Sequence, residues 1–383
     1  MLTDIINYSL IILFISYFTI YRNLDLNISI LLAITSAAPF FLIGVIFPIG
    51  YLSDVITYTY FSQYFRSELG LFPEIPSIEW LSFLKFMNSP AEYVGRIFSF
   101  VPIPFMDTFR SLGFFNRFLL VIFIIYLIMR NKKINNSIIY FLIFYPTIIL
   151  YSSLALRDTL ILISVLLVVI YLIEKRFFIT LPIIYFIFLL RPVNGVIMLI
   201  LSVLYNFYIR YQNSYSKLIS FVIFSVIFTL LIFQFQNDLL NLINEYKKAR
   251  AAEDLIAIET LSFANNIFEL LTYIISFLPK FFFHPYPWDA SNIFMLFQSI
   301  ENIAVVILII YLFFKSFSIG LLKNLFWLLS LILIAGLFAY VQSNIGGLSR
   351  YKFVFISMYI CAILYEKQIV DNKNIRKDNK LDI

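Results

Sequence analysis

The sequence is poor in the residues that most often carry recognisable chemistry. Its 383 residues include one cysteine, Cys361, and one histidine, His284. A single cysteine excludes an intrachain disulfide and a cysteine-built metal centre, and a single histidine excludes a multi-histidine metal cluster. Charge is scarce as well. Asp, Glu, Lys and Arg make up 13% of the chain, against about a quarter in a typical soluble domain. No P-loop, dinucleotide fingerprint or zinc-protease helix is present, and no internal repeat of the kind that marks many transporters. The net charge of +6 follows the connectors between apolar runs and is not read as a nucleic-acid signal; no nucleic-acid partner is expected.

What the chain has instead is apolar length. Hydrophobic residues make up 62% of it, in runs approaching or reaching the roughly 17–25 residues that cross a bilayer as a helix. Candidate spans are 5–21, 28–50, 116–130, 137–153, 159–174, 177–190, 195–209, 217–234, 294–314, 320–340 and 353–366. These runs are continuous, unlike the short alternating segments of a membrane β-barrel. The expected fold is an all-α polytopic bundle of about eleven spans, with ten to thirteen admissible depending on the N-terminal pair and the segment 262–283. Ile5–Tyr21 lacks a basic start and a small-residue cleavage site, so it reads as a retained helix rather than a signal peptide.

Charge orients the bundle. The connectors Arg130-Asn131-Lys132-Lys133 and Glu174-Lys175-Arg176 are short and basic, as is the tail 367–383 with Lys367, Lys373, Arg376, Lys377 and Lys380. Short basic loops mark the cytoplasmic side. The N-terminus and both large segments, 51–115 and 234–293, then fall outside, which in a bacterium is the periplasm. Residues 1–366 read as one transmembrane catalytic domain and 367–383 as a basic cytoplasmic tail. The first outer segment holds Phe72-Pro73-Glu74-Ile75-Pro76, Trp80, Phe83, Phe86 and Val101-Pro102-Ile103-Pro104-Phe105. Such content suits re-entrant or interface helices. In the second, Asp238–Thr260 reads as an amphipathic helix from the spacing of Leu239, Leu240, Ile243 and Tyr246.

Three arginines fall at the same outer face: Arg157, Arg191 and Arg350. An arginine near hydrocarbon is expensive unless it meets an anion or reaches water. Guanidinium is planar, always charged and suited to two-pronged phosphate binding, so three at one depth point to a pyrophosphate. The plain alternatives are that Arg157 favours a helix C-terminus, Asp158 caps the next helix and Arg191 snorkels. Asp54 either caps an interface helix or orients an acceptor hydroxyl. His284 is either a general base near neutral pH or an interfacial hydrogen-bond donor. Tyr286 and Trp288, with Asp289 beside them, offer stacking surfaces and a polar group for sugar rings.

Several stretches together resemble a known family. Phe144-Tyr145-Pro146 followed by Tyr151-Ser152-Ser153-Leu154-Ala155-Leu156-Arg157-Asp158 resembles an "FPS…WSS…(L)(R/K)D" signature, with tyrosine in place of tryptophan. Leu189-Leu190-Arg191-Pro192 is similar to an "LRP" element. His284-Pro285-Tyr286-Pro287-Trp288-Asp289, with Glu301-Asn302, resembles "PFPW(D/E)…EN". Gly346-Gly347-Leu348-Ser349-Arg350-Tyr351 resembles the "G…RY" element before a last helix. These are motifs of the Wzy-type O-antigen and capsule polymerases, and more loosely of GT-C membrane glycosyltransferases.

The resemblance implies an inner-membrane enzyme with its site at the periplasmic face. It would join undecaprenyl-pyrophosphate-linked oligosaccharides, one as donor and one as acceptor, without a cofactor or metal. Membrane lipid and a chain-length regulator protein are the further partners it implies. On this expectation Arg157, Arg191 and Arg350 hold the pyrophosphate, Asp54, His284 and Arg191 serve catalysis, and Tyr286, Trp288 and Asp289 bind sugar. Two rivals stand beside it. A GT-C transferase using a polyprenyl-phosphate sugar usually places an acidic pair in its first outer loop, and Asp54 has no acidic neighbour. A flippase or transporter would place ionisable groups at mid-membrane, whereas here they sit at span ends.

Overall fold

Prolines and short polar side chains mark where the helices begin. Asp25 accepts from the backbone N–H groups of Asn27 and Ile28, Asn266 from that of Glu269, and Asn292 from that of Met295. Each satisfies donors that a helix start leaves open. Pro90, Pro146 and Pro192 each take the first position of a helix, where a missing N–H costs nothing. The computed structural model describes residues 2–46, 53–68, 90–101, 108–130, 136–154, 156–211, 236–253, 261–342 and 344–381. Among the described residues the regular elements are helical and no strand occurs.

The helices run in order from α1 (Leu2–Arg22), α2 (Leu26–Ser36) and α3 (Ala38–Leu42) to α4 (Ser53–Glu68) and α5 (Pro90–Ser99). Then come α6 (Phe109–Arg130), α7 (Asn136–Phe144), α8 (Pro146–Ser152), α9 (Asp158–Ile173), α10 (Phe177–Leu190) and α11 (Pro192–Tyr211). The last five are α12 (Gln236–Glu253), α13 (Ile267–Phe283), α14 (Ile293–Lys315), α15 (Leu321–Val341) and α16 (Ile345–Leu381). The expected tail is thus helical as far as Leu381, as a continuation of α16. The span expected at 217–234, the aromatic stretch from Phe72 to Phe86 and the prolines Pro102 and Pro104 lie outside the described residues.

Among the described residues, five helices are long and apolar enough to cross a membrane: Leu2–Arg22, Arg110–Arg130, Ile293–Lys315, Leu321–Val341 and Gly346–Asn372. Residues 26–42, 158–173, 177–190 and 192–207 form shorter apolar helices. Their surfaces support a membrane setting. The most apolar stretches of α1 and α14 are only 22% buried, against 83% for α16. Ile20, Ile307 and Phe314 are each more than 60% exposed. Contiguous apolar faces of that kind are rare on a soluble monomer and are what lipid covers. The protein is a helical, membrane-embedded chain.

The chain gathers into two compact units: Met1–Leu167 with Pro182–Val196, and Val168–Leu181 with Ile197–Ile383. In the first, α1, α2 and α6 pack together. Arg110 on α6 pairs with the buried Asp4 at 3.2 Å and donates to the carbonyl of Ile43 at 2.7 Å. Helices α4 and α5 meet where a Cβ on Gly95 would fall 2.2 Å from that of Phe61.

In the second unit, α13, α15 and α16 form the centre. Tyr340 stacks on Tyr273 with ring centroids 5.6 Å apart. Leu240, Ala264, Leu270, Ile274 and Val341 complete that core. Farther along α15, buried Trp327 packs on Tyr205, whose hydroxyl donates to Glu366; Glu366 also takes Lys323 at 2.9 Å. Helices α13 and α15 touch through Gly336, where a Cβ would lie 2.6 Å from the Ile274 carbonyl oxygen. Because that neighbour is backbone, Gly336→Ala should force the helices apart. The expected loss is about 1–3 kcal/mol, the usual cost of overpacking, read as a lower unfolding midpoint in detergent. An unchanged midpoint would mean that the crossing yields.

Candidate functional site

The polar residues of the first unit converge on the stretch from Ser152 to Asp158. Between α8 and α9 the described residues Ser153, Leu154, Leu156 and Arg157 are non-helical, so their carbonyls need partners other than a helix ladder. One face of α6 supplies them, with Gly113, Asn116 and Arg117 at helical spacing. A side chain on Gly113 is ruled out, since its Cβ would sit 2.3 Å from the carbonyl oxygen of Ser153. The Asn116 amide donates to the carbonyls of Leu154 at 2.6 Å and Leu156 at 2.8 Å. Arg117 Nη1 donates to Ser152 Oγ at 2.8 Å. Both α6 side chains are buried.

The next two residues are Arg157 and Asp158. Arg157 Nη1 donates to the Leu190 carbonyl at 2.7 Å, at the C-terminal end of α10, and its guanidinium lies 5.7 Å from the ring centre of Tyr58. A cation suits that helix end. Asp158 opens α9 and is 0% exposed; Arg191 Nη2 lies 2.9 Å from its Oδ1, an ion pair without hydrogen-bond alignment. Arg191 is the single residue between α10 and α11. The corner there is sharp, because a Cβ on Gly195 would approach the Phe188 backbone to 2.6 Å. Asn194, three residues after Arg191, is fully buried.

In the second unit a group of polar residues gathers at the turn after α13. Lys352 of α16 donates to the His284 carbonyl at 2.9 Å and to Asn302 Oδ1 at 3.1 Å. The Asn302 amide donates to the same carbonyl at 3.1 Å, and Ser299 Oγ donates to the Pro285 carbonyl at 2.7 Å. The turn so held carries an aromatic ledge. Tyr286 and Trp288 stack with centroids 5.1 Å apart and planes 4° from parallel, and Trp288 is 79% exposed. His284 meets Tyr286 edge-on at 5.5 Å. Burial first, then the charge of Lys280 with Lys352 adding to it, hold the imidazole below the ordinary histidine value, while Asp289 opposes them. The neutral imidazole is thereby favoured over the charged form. Asp289 is exposed in the short 3₁₀ turn Pro287–Asp289.

Nearby, α12 brings a caged lysine. Lys247 Nζ sits 3.7 Å from the centre of the Tyr340 ring and donates to the Ser262 carbonyl at 2.7 Å. Burial, with Lys280 close by, pushes it down to about 8. Arg250 donates to the hydroxyl of Tyr246, which lies 3.2 Å from that of Tyr351. Burial leads in pushing Tyr246 up to about 12.

Of the residues expected to matter, Arg157, Asp158 and Arg191 come together in the first unit. His284, Tyr286, Trp288 and Asp289 come together in the second. Arg350 lies in the second turn of α16, half-buried, two residues before Lys352. Asp54 is the second residue of α4, and its side chain lies outside the described residues. Asn116, Arg117, Lys280 and Lys352 were not singled out by sequence. The signal they carry is that of polar side chains interrupting or abutting apolar runs, Lys352 at the start of the last span and Asn116-Arg117 at the start of the third. Among the described residues no three of His, Cys, Asp and Glu come together as a metal site would require. Comparison of the chain with family models, with curated proteins and with solved structures finds no match in any of the three.

This geometry makes two outcomes testable. Removing one member of a buried ion pair strands the other, at a cost of about 3–5 kcal/mol. Asp158→Ala should lower stability on that scale, and the double variant Asp158→Leu with Arg191→Met should recover most of the loss. A double variant no more stable than the single one would show that the pair is not the source. For Lys247 the folded value lies below the unfolded 10.5. Between pH about 8 and 10.5 the unfolded chain holds a proton that the folded chain has released, so stability rises with pH across that window. The unfolding midpoint should climb from pH 8 to 10 relative to that of Lys247→Met. A constant difference would place the titration elsewhere.

Proposed function

We propose that the chain is a membrane glycosyltransferase of the polysaccharide-polymerase kind. It joins oligosaccharide units carried on undecaprenyl pyrophosphate, at the periplasmic face of a bacterial inner membrane. The arrangement of about eleven spans and a GT-C-like fold belong to the same proposal. The observation that carries it is the cluster of half-buried Arg157 with buried Asp158 and Arg191, where α9 and α11 begin. The guanidinium of Arg191, at the starts of α9 and α11, forms a setting for a phosphorylated leaving group.

The chemistry asks little beyond that setting. A lipid pyrophosphate is already a good leaving group, so the enzyme has to stabilise its developing charge and align an acceptor hydroxyl with the anomeric carbon. Arg191, fixed by Asp158, is suited to the first task. In the second unit, the Tyr286–Trp288 ledge offers the flat apolar surface on which a sugar ring stacks, with Asp289 as a polar neighbour. A neutral His284 is a proton acceptor there, and Asp54 is the other candidate for orienting a hydroxyl.

A second reading draws on the interrupted helices, α7 and α8 broken at Tyr145 and α10 and α11 at Arg191. Broken helices whose N-termini face an anionic group are common in transporters; on that reading the same headgroup is moved rather than reacted upon. Deleting the gene and separating the surface polysaccharide on a gel distinguishes the two. Polymerisation predicts collapse of the ladder to a single repeat. Loss of the single repeat as well would move the protein to an earlier step and overturn the polymerase reading. Within the polymerase reading, Arg191→Lys keeps the charge and loses the fork, so chain length should fall sharply. Full-length chains from that variant would sink the two-pronged role.

A further inference from the structure

Arg117 is a buried cation that its own contacts do not balance. It is 1% exposed on α6, inside a helix apolar enough to cross a membrane. Its Nη1 donates to Ser152 Oγ, a neutral acceptor whose own hydroxyl lies 3.3 Å from the Ile149 carbonyl. Its Nε meets no acceptor, and no carboxylate pairs with it among the described residues. Arg110 on the same helix and Arg191 across the cluster show the contrast, since each has an aspartate. Packing or clamping Ser152 does not require a guanidinium; a neutral amide donates as well and is less costly to bury.

A second group in the same unit is also unmatched. Asn194 is 0% exposed, and neither atom of its amide finds a partner among the described residues. It lies in the first turn of the 20-residue helix α11, on the face it shares with Arg191 three residues earlier. Arg117 holds Ser152 at the end of α8, and Arg191 pairs with Asp158 at the start of α9; Thr159 Oγ1 lies 3.3 Å from the Tyr151 carbonyl oxygen, so these two helix ends are neighbours.

We infer that Arg117 and Asn194 bind a phosphoryl oxyanion where α8 ends and α9 and α11 begin, extending the Arg157–Arg191 cluster within the first unit. A guanidinium tied to a hydroxyl by one nitrogen keeps the rest of its fork for two oxygens of the ligand. The amide adds a neutral donor near a helix start that already favours negative charge. That the ligand is an oxyanion rests on these contacts; that it is the diphosphate of a lipid-linked sugar rests on the polymerase reading.

The test uses the full chain in detergent micelles, with farnesyl diphosphate, inorganic pyrophosphate and farnesol as probes. Wild type should bind farnesyl diphosphate and not farnesol. Arg117→Met should weaken binding about tenfold or more, the scale of one lost charge-assisted contact. Arg117→Lys should fall between them, and Ser152→Ala should keep wild-type affinity. Equal affinity in wild type and Arg117→Met, or no binding by wild type, overturns the site. If Arg117→Met does not fold, the lysine variant decides, because unchanged affinity there leaves Arg117 only a clamp and overturns the proposal. Pyrophosphate binding as tightly as farnesyl diphosphate would keep the oxyanion and overturn the lipid-borne ligand. Chain elongation from lipid-linked units by wild type is measured alongside. Elongation with Arg117-independent binding sinks this inference alone, whereas Arg117-dependent binding without elongation sinks the polymerase reading alone.

Discussion

Non-helical backbone buried among apolar side chains must find its hydrogen-bond partners inside the protein, and that constraint organises the first unit. Leu154 and Leu156, between α8 and α9, meet it on a single face of α6. Gly113 removes the side chain that would hold the segment off, and Asn116 offers one amide to two carbonyls. The residues just downstream are thereby fixed in place. Arg157 reaches the end of α10 and Asp158 begins α9 against Arg191. A glycine and an asparagine some forty residues upstream therefore decide where two arginines stand.

The second unit solves the same problem with cations. Lys352 and Asn302 both donate to the carbonyl of His284, and Lys280 donates to that of Gln342 at 3.0 Å. The lysines hold backbone in place and, after burial, the charge of Lys280 helps hold the His284 imidazole below the ordinary histidine value. Structure and acid–base character are thus coupled. A lysine that fastens the turn also makes the histidine on that turn a weaker base, and the aromatic ledge is displayed from a segment whose carbonyls are already occupied.

Much of this was legible in the sequence and some was not, for physical reasons. Hydropathy gives helices because their apolar runs are continuous, and Arg191 before Pro192 marks a corner because proline starts helices and seldom continues them. Asp158 reads as the start of α9 for the related reason that carboxylates favour helix N-termini. Helix lengths were less accessible. The expected span 137–153 divides at Tyr145, and 28–50 begins as two pieces joined at Ala37, because a proline near each break withdraws a backbone donor. Least legible were Asn116 and Lys352. Their partners are backbone carbonyls far away in sequence, and no residue type at the receiving end announces such a contact.

Buried cations differ in how completely the fold answers them, and the difference separates scaffold from site. Lys247 is ringed by aromatic faces and bonded to a carbonyl. Lys352 has a carbonyl and an amide oxygen. Both lysines donate to groups of the fold itself, which is the signature of a fastening. Arg117 has a hydroxyl alone. Desolvating a guanidinium for one neutral bond is unfavourable, and a neutral donor would hold a serine as well. An unfavourable term kept at the point where two helices begin is intelligible if an anion from outside the chain completes it. A buried cation that the fold leaves incompletely matched is then a more discriminating marker of a ligand than the paired arginines the sequence brings first to notice.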